Sequence, residues 1–580
     1  MQQNNKGVFL RLMGYLKPHI PTLVLALILV LAATGSNLLR PVIIGRAIDA
    51  ITEGGVFGVI LRDFLLYITV LIIGTACNAV QMWILQKLGQ NIIYKIREEL
   101  FAHIHSLSLR FFDVTPVGRI VTRVTNDVET LNELFSSILV TMVKNVVLIA
   151  GYAAVMLVLN WRLALLSFVL LPVVVLLTRL FTRVYRTTHR ITRTKVSSLN
   201  TYLSENLGAM KLIQLFHREA EKRHEFSYRS QDLFQANFRE IVVYGTFQPL
   251  IYWISIVSLA AVLGFGGHLV LAGSLSIGTL YIFSSYVRSF FEPIQSLSDQ
   301  FGTLQAAMAA GEKIFTLLDE DPAVQDPAEP KALPAPTKGR IEFEHVWFSY
   351  DGEEWVLRDV SFVIEPGQTA AFVGPTGAGK SSILNLIGRY YDIQKGRITI
   401  DGVDIRELSQ QEIRRAVGQV QQDVFLFTGD IKGNIRLGSE EISDMDVMEA
   451  AKFVNADGFI RKLEDSYETA VTERGSTLSA GQRQLLSFAR TLAFDPAILV
   501  MDEATANIDT ETEALIQDAM ERLMRNRTTI VVAHRLSTIQ HADQIMVIHK
   551  GRLREQGTHQ ELLTRNGIYK KLYDLQLRAT

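Results

Sequence analysis

Apolar residues crowd the first 300 positions in long runs, then give way to short stretches separated by charged and polar residues. The first run follows Lys17-Pro18, through Thr22–Ala33 and on to Ile44. The others are Phe64–Leu85, Ile138–Leu159, Leu163–Leu180, Phe247–Leu271 and Ile277–Leu297. Each supplies the ~20 mostly apolar residues that cross ~30 Å of hydrocarbon. Six membrane helices are the simplest reading, over about 20–45, 62–86, 136–159, 162–184, 246–271 and 277–299. Only Asn160-Trp161-Arg162 separates the third and fourth, which predicts a tight helical hairpin. A signal peptide is the other reading of the first run, because Ala32-Ala33-Thr34-Gly35 follows a basic start and an apolar core. The apolar stretch continues past those small residues, and five further spans follow, which favours a membrane helix.

Basic residues orient the spans. Lys87, Lys95, Arg97, Arg110, Arg119 and Arg123 lie in one connecting segment, and Arg179, Arg183, Arg186, Arg190, Arg193 and Lys195 lie after the fourth span. The loop from Gly264 to Gly278 has no Lys or Arg. The positive-inside rule puts both basic segments, and with six spans both termini, in the cytosol. Ile92, Ile93, Ile96, Leu100, Ile104 and Leu107 keep helical spacing inside the first basic segment. Helices that continue below the bilayer are expected, with separate amphipathic surface helices as the alternative. Lys144, Arg288 and Glu292 fall inside spans, where a charge is costly and faces a cavity or a partner. They are candidates for a substrate pathway, or equally for an inter-helix pair or for snorkelling to the interface.

Pro322, Pro327, Pro330, Pro334 and Pro336 mark a boundary. The expected division is a membrane domain over 1–320, an extended linker over 321–339 and a second domain over 340–580. Within the last, β-type runs alternate with helical ones: Ile341–Tyr350, Thr369–Val373, Arg397–Ile400, Ile498–Met501, Thr529–Ala533 and Gln544–His549. That is an α/β pattern. The fold expected for the whole is multidomain, a six-helix all-α transmembrane domain plus an α/β nucleotide-binding domain.

Thr369–Val373 leads into Gly374-Pro375-Thr376-Gly377-Ala378-Gly379-Lys380-Ser381 and then into the helical Ser382–Arg389. A G-x-x-x-x-G-K-S run between a strand and a helix is a phosphate-binding loop. Its backbone N–H groups and the helix N-terminus cradle phosphate oxygens. Lys380 reaches the β/γ-phosphates of ATP, and Ser381 is a ligand for Mg²⁺. Ile498–Met501 ends in Asp502-Glu503. Asp502 suits the magnesium side of such a site, and Glu503 suits a general base for the attacking water.

Leu478-Ser479-Ala480-Gly481-Gln482, just ahead of that acidic strand, resembles the signature of the ATP-binding-cassette (ABC) family, L-S-G-G-Q. Other elements similar to that family's follow in order. Tyr350 stands where the family stacks an aromatic on adenine. Gln422 resembles the Q-loop glutamine, which also serves Mg²⁺. Thr472-Glu473-Arg474-Gly475 resembles the exporter X-loop, Asn507-Ile508-Asp509 the D-loop, and His534 the switch histidine. Phe111-Phe112-Asp113 with Gly118-Arg119 and Asn126-Asp127 is similar to the first intracellular segment of ABC exporters, and Glu205-Asn206-Leu207 to the second. The resemblance covers nearly the whole chain, as a half-transporter.

The resemblance implies a dimer in which one chain's signature completes the ATP site of the other. Glu503, His534 and Lys380 would be catalytic. ATP would lie between Tyr350, Gly374–Ser382 and Gln422 of one chain and the signature of its partner. Two departures stand out: Ala480 replaces a signature glycine, and Asn507-Ile508 replaces the commoner Ala-Leu. Ala in place of Gly costs freedom at positive φ and adds a methyl beside the phosphates. An intact Glu503 beside a weakened signature resembles the catalytically complete subunit of heterodimeric bacterial multidrug exporters. A heterodimer is therefore expected over a homodimer, in a bacterial-type cytoplasmic membrane. It would export amphipathic compounds. A lipid or peptide exporter, an ATP-gated channel and a regulatory membrane ATPase remain alternatives.

Composition adjusts this picture. With 48% hydrophobic and 20% charged residues, and a mean hydropathy of +0.20, neither a disordered chain nor one soluble body fits. A single cysteine, Cys77, excludes an internal disulfide framework and a multi-cysteine zinc site. The net charge of -1 points to no nucleic-acid partner. It hides two opposite halves: 28 Lys/Arg against 20 Asp/Glu up to residue 320, then 30 against 39.

Overall fold

The computed structural model describes residues 2–421, 424–502, 510–532 and 539–577. Two compact units divide the chain: Met1–His105 with Val117–Glu320, and Ser106–Pro116 with Asp321–Thr580.

The first unit is helical. After a short helix, Gln2–Gly14, come Ile20–Thr52, Phe57–Ser106, a helical run over Val117–Leu159, another over Trp161–Gly208, then Glu219–Leu271 and Ile277–Leu318. At 1.5 Å per residue the 50-residue helix Phe57–Ser106 is ~75 Å long, more than twice the hydrocarbon thickness. Its basic segment is continuous with its apolar one. Five of the helical runs are long and apolar enough to cross a membrane. The sixth expected span lies on Ile277–Leu318, which is 42 residues long but not among those five. Arg288, Glu292 and the serines around them dilute its apolar character.

Local chemistry explains the turns and contacts. Asn160 breaks the helix with φ −161°, and its side-chain oxygen accepts the N–H groups of Arg162 and Leu163 at 3.1 Å. It is the N-cap that makes the hairpin sharp. The helices Ile20–Thr52 and Ile277–Leu318 meet where a Cβ on Gly278 would stand 1.9 Å from the Gly45 carbonyl oxygen. Beside this contact, Asp49 accepts hydrogen bonds at 2.7 Å from Ser276 Oγ and from the Gly278 N–H. Asn145 donates to Ser296 Oγ at 2.8 Å, and Tyr286 donates to the Leu38 carbonyl. Tyr152, Tyr286, Phe290 and Phe283 fill the core between them. The helix Gln2–Gly14, which the apolar pattern did not predict, buries Leu12, and Arg11 donates to both Asp319 oxygens at 2.7 Å.

The second unit is α/β. Its strands are β1 (Ile341–Phe348), β2 (Leu357–Ile364), β3 (Thr369–Val373), β4 (Lys395–Ile400), β5 (Val403–Asp404), β6 (Val417–Val420), β7 (Gly429–Asp430), β8 (Ala470–Val471), β9 (Ile498–Asp502), β10 (Thr528–Val532), β11 (Gln544–His549) and β12 (Arg552–Gly557). One sheet runs β12-β11-β3-β10-β9-β6, parallel except at β12. An antiparallel sheet, β2-β1-β4-β5, packs with it, and β7 pairs with β8. Alternate residues of β3 enter opposite cores: Ala370 and Phe372 one, Ala371 and Val373 the other. Both faces of the parallel sheet are therefore covered, which is why its strands read as unbroken apolar runs.

The proline-rich stretch is extended, as its composition predicts, but it is tied down rather than free. The Lys331 N–H bonds the Glu407 carbonyl at 2.8 Å, and Lys331 Nζ pairs with the Glu407 carboxylate at 2.9 Å. Asp401 accepts the N–H groups of Lys338, Gly339 and Arg340. The buried Arg389 donates to the Gln325 carbonyl at 3.0 Å.

Candidate functional site

Three neighbouring strands end together. Val532 of β10 pairs with Phe372 of β3 on one side and with Asp502 of β9 on the other. Ligands of open α/β sheets bind at the carboxyl ends of such strands. At this edge the chain leaves β3 at Gly374, where φ is +153° and a Cβ would stand 2.1 Å from the Ile548 carbonyl oxygen. Only glycine fits there. Pro375, Thr376 and Gly377 form an exposed crown, and Ala378, Gly379 and Lys380 are buried beneath it. Gly379, at φ +104°, is the N-cap of the helix Lys380–Ile387. Free N–H groups of that first turn face the loop.

Lys380 is 7% exposed, and its ammonium donates to the Gly374 and Pro375 carbonyls at 2.8 and 3.0 Å. Burial pulls its pKa below the ordinary lysine value, and the Asp502 carboxylate opposes that shift. Ser381 Oγ lies 3.4 Å from Asp502 Oδ2. A hydroxyl and a carboxylate oxygen so placed suit a hard cation such as Mg²⁺. Among the described residues no group of three or more His, Cys, Asp or Glu could hold a metal ion. Ser382 is buried, and its Oγ accepts from the Tyr350 hydroxyl at 3.0 Å. The Tyr350 ring lies edge-on to Phe348 and Tyr391, with centroids 4.7 and 4.9 Å away. The fold thus gathers Tyr350, Gly374–Ser382 and Asp502 at one sheet edge.

The signature segment sits elsewhere. Leu478 packs into the core on the opposite face of the sheet from the phosphate-loop helix. Ser479 caps the helix Ala480–Ala493 through a reciprocal pair: its Oγ accepts the Gln482 N–H at 3.2 Å, and Gln482 Oε1 accepts the Ser479 N–H at 2.9 Å. Ser479 and Ala480 are exposed, and Gly481 is buried. Ala480 is the first residue of that helix and is not among the residues with positive φ. The expected backbone cost of alanine there does not arise, because the position does not need a positive φ. A helical φ suits alanine, and only its exposed methyl separates it from glycine.

Gln422, Glu503, Asp509 and His534 lie outside the described residues. Lys144 is half-buried, while Arg288 and Glu292 are exposed four residues apart on one helix. Among the described residues no ion pair joins these three.

Sequence reasoning missed the neighbourhood behind Tyr350. Tyr391 is buried and donates its hydroxyl to Asp113, on the helix Leu109–Val114 of the same unit. Burial, reinforced by the Asp113 charge, raises the phenol's pKa well above its ordinary value, so it stays a donor. No spacing rule links positions 113 and 391.

Residues 23–294 match the ABC transporter transmembrane region, and residues 357–506 match the ABC transporter family. A Streptococcus pneumoniae protein named as an ABC transporter ATP-binding protein is 40% identical over 100% of this chain and 99% of its own length.

The chain belongs to the ABC transporter family.

A Bacillus subtilis relative named for multidrug resistance is 39% identical over 86% of this chain and 74% of its own. An ATP-dependent lipid A-core flippase of Syntrophus aciditrophicus is 33% identical over 98% and 95%. Among solved structures, a bacterial Atm1-family ABC exporter with ATP bound superposes with a TM-score of 0.79 at 29% identity, over 96% of this chain and 98% of that one. The protein is an ABC exporter, an ATPase-coupled transporter that joins a helical transmembrane domain to an α/β nucleotide-binding domain. It is a multi-pass membrane protein with its nucleotide-binding domain in the cytosol. ABC exporters commonly work as dimers.

Proposed function

We propose that this exporter moves amphipathic compounds of the multidrug type out across the cytoplasmic membrane, as one half of a heterodimer. The observation that carries the ATP-driven step is the convergence of the phosphate loop, Ser381 and Asp502 at the ends of three parallel strands. Lys380 and the N–H groups of the loop bind and orient the β/γ-phosphates. Ser381, Asp502 and Gln422 would hold Mg²⁺, which would supply charge neutralisation there. Tyr350 offers its ring to adenine. Glu503 takes the proton of the attacking water, and His534 contacts the γ-phosphate. Ser479 and the helix N-terminus behind Ala480 face the ATP held by the partner chain, with Asp509 at the junction. Arg288, Glu292 and Lys144 serve the substrate pathway.

The relative named for multidrug resistance supports the substrate class, and the flippase supports a second reading, a lipid substrate. Two measurements test these assignments. Glu503→Gln lowers ATP turnover by ~10²–10⁴-fold while ATP binding persists; a wild-type rate overturns the base assignment. Proteoliposomes carrying the exporter accumulate an amphipathic dye on ATP addition, and a fluorescent phospholipid flipped instead favours the lipid reading.

A further inference from the structure

The turn Arg389–Asp392 follows the phosphate-loop helix directly. It grips both stretches of the second unit that lead, along the chain, into the first. Arg389 is 3% exposed and donates to Asp392 Oδ1 at 3.0 Å, to the Leu408 carbonyl at 2.8 Å and to the Gln325 carbonyl of the linker. A buried guanidinium with three acceptors holds its turn rigidly, because leaving any of its donors unpaired is costly. Two residues on, Tyr391 bonds Asp113 of the segment Ser106–Pro116. That segment continues at one end from the 50-residue helix Phe57–Ser106.

From Tyr391 the contacts lead straight to the nucleotide site. Its ring meets Tyr350 edge-on at 4.9 Å and 88°, and Phe348 at 5.8 Å and 62°. Tyr350 in turn donates to Ser382, in the first turn of the phosphate-loop helix, and accepts from Asn385 at 3.5 Å. The Tyr350 ring is therefore held on one edge by Tyr391 and at its hydroxyl by the loop helix. A shift of Asp113 would pull the Tyr391 hydroxyl, tilt the edge contact and move the face that Tyr350 presents. Close-packed aromatic contacts pass such a displacement on, since they have few intermediate arrangements.

We propose that Tyr391 is a positioning residue whose bond to Asp113 sets the orientation of Tyr350, so that ATP affinity depends on where the segment Ser106–Pro116 is held. The inference rests on the reading of Tyr350 as the adenine platform. It makes the path reciprocal: whatever moves that segment changes nucleotide binding, and nucleotide binding changes the hold on the segment by the same free energy.

The test is the ATPase of the purified membrane protein in lipid nanodiscs, with its partner subunit if one co-purifies. Tyr391→Phe removes the hydroxyl and keeps the ring. The expected result is a KM for ATP raised ~2–10-fold, the range given by loss of one hydrogen bond, with kcat changed less than KM. Asp113→Asn is expected to give a similar rise, and Tyr391→Phe with Asp113→Asn no more than either alone. In a Tyr350→Leu background, Tyr391→Phe is expected to leave the KM unmoved. An unchanged KM in Tyr391→Phe, additive effects in the double variant, or a loss of kcat and melting temperature without a KM change overturns the proposal in favour of a merely structural bond. If Tyr350→Leu itself leaves the KM unmoved, the adenine-platform reading fails, and this inference with it. Loss of turnover in Glu503→Gln is independent of either result.

Discussion

Ala480 shows how a single methyl is weighed differently by sequence and by structure. Its backbone takes the first position of the helix Ala480–Ala493, a conformation alanine favours over glycine. Ala480→Gly is therefore expected to act in two directions. Stability falls by up to about 1 kcal/mol, because glycine has more freedom to lose. ATPase rises, because the exposed methyl no longer crowds the partner's phosphates. Melting temperature and turnover, measured on the same preparation, separate the two. Unchanged turnover removes the steric case for an asymmetric pair of sites. Tyr391 teaches the complementary lesson. A tyrosine in Arg-Tyr-Tyr-Asp carries no motif, and its meaning arises from Asp113, 278 positions away.

At the scale of elements, the helices are set by pattern and their ends by individual side chains. The apolar runs locate the long helices because a bilayer demands about 20 consecutive apolar residues. The hairpin at Asn160-Trp161-Arg162 was legible in the sequence, since only three residues separate the third and fourth runs, and Asn160 supplies the cap. Asn160→Ala is expected to cost ~0.5–2 kcal/mol, read as a lower melting temperature in detergent. Helix contacts were less legible. The near-touch of Gly278 and Gly45 depends on two helices far apart in sequence, and neither glycine belongs to a motif. Gly278→Ala puts a methyl against backbone, which cannot rotate away. A loss of ~1–3 kcal/mol is expected, again as a lowered melting temperature. Gly264→Ala, where the added Cβ meets nothing within 4 Å, is the control and should change little. Strand β6 escaped the sequence reading because it is only four residues long, and the eight-residue β2 because Arg358, Asp359 and Ser361 interrupt its apolar positions, whereas β3 and β9 announce themselves through the phosphate loop and the acidic pair.

For the whole molecule, a net charge of -1 conceals a basic membrane half and an acidic nucleotide-binding half. The second unit binds an anion without bulk positive charge, through N–H groups, a helix end and Lys380. One chain carries one phosphate loop and one signature, and these lie on opposite faces of its central sheet. That separation agrees with the proposed two-chain site, in which the signature serves the ATP of a partner. Affinity purification of the tagged exporter from its native host is expected to bring down a second half-transporter with a noncarboxylate residue at the position matching Glu503. Recovery of this chain alone, with full turnover, would establish a homodimer.

The sequence alone determined the features with the strongest local pattern. Hydrophobic length located the long apolar helices, and the strand-loop-helix around Lys380 marked the candidate phosphate site. These depend on stretches contiguous in the chain, so order along it is enough. The tertiary structure alone decided which residues support that site. It drew Ser381 to 3.4 Å from Asp502, tied the linker to Arg389, placed Ala480 in a helix and set Tyr391 between Asp113 and Tyr350. Such contacts join residues tens to hundreds of positions apart, and only burial of the two cores on the central sheet brings them together.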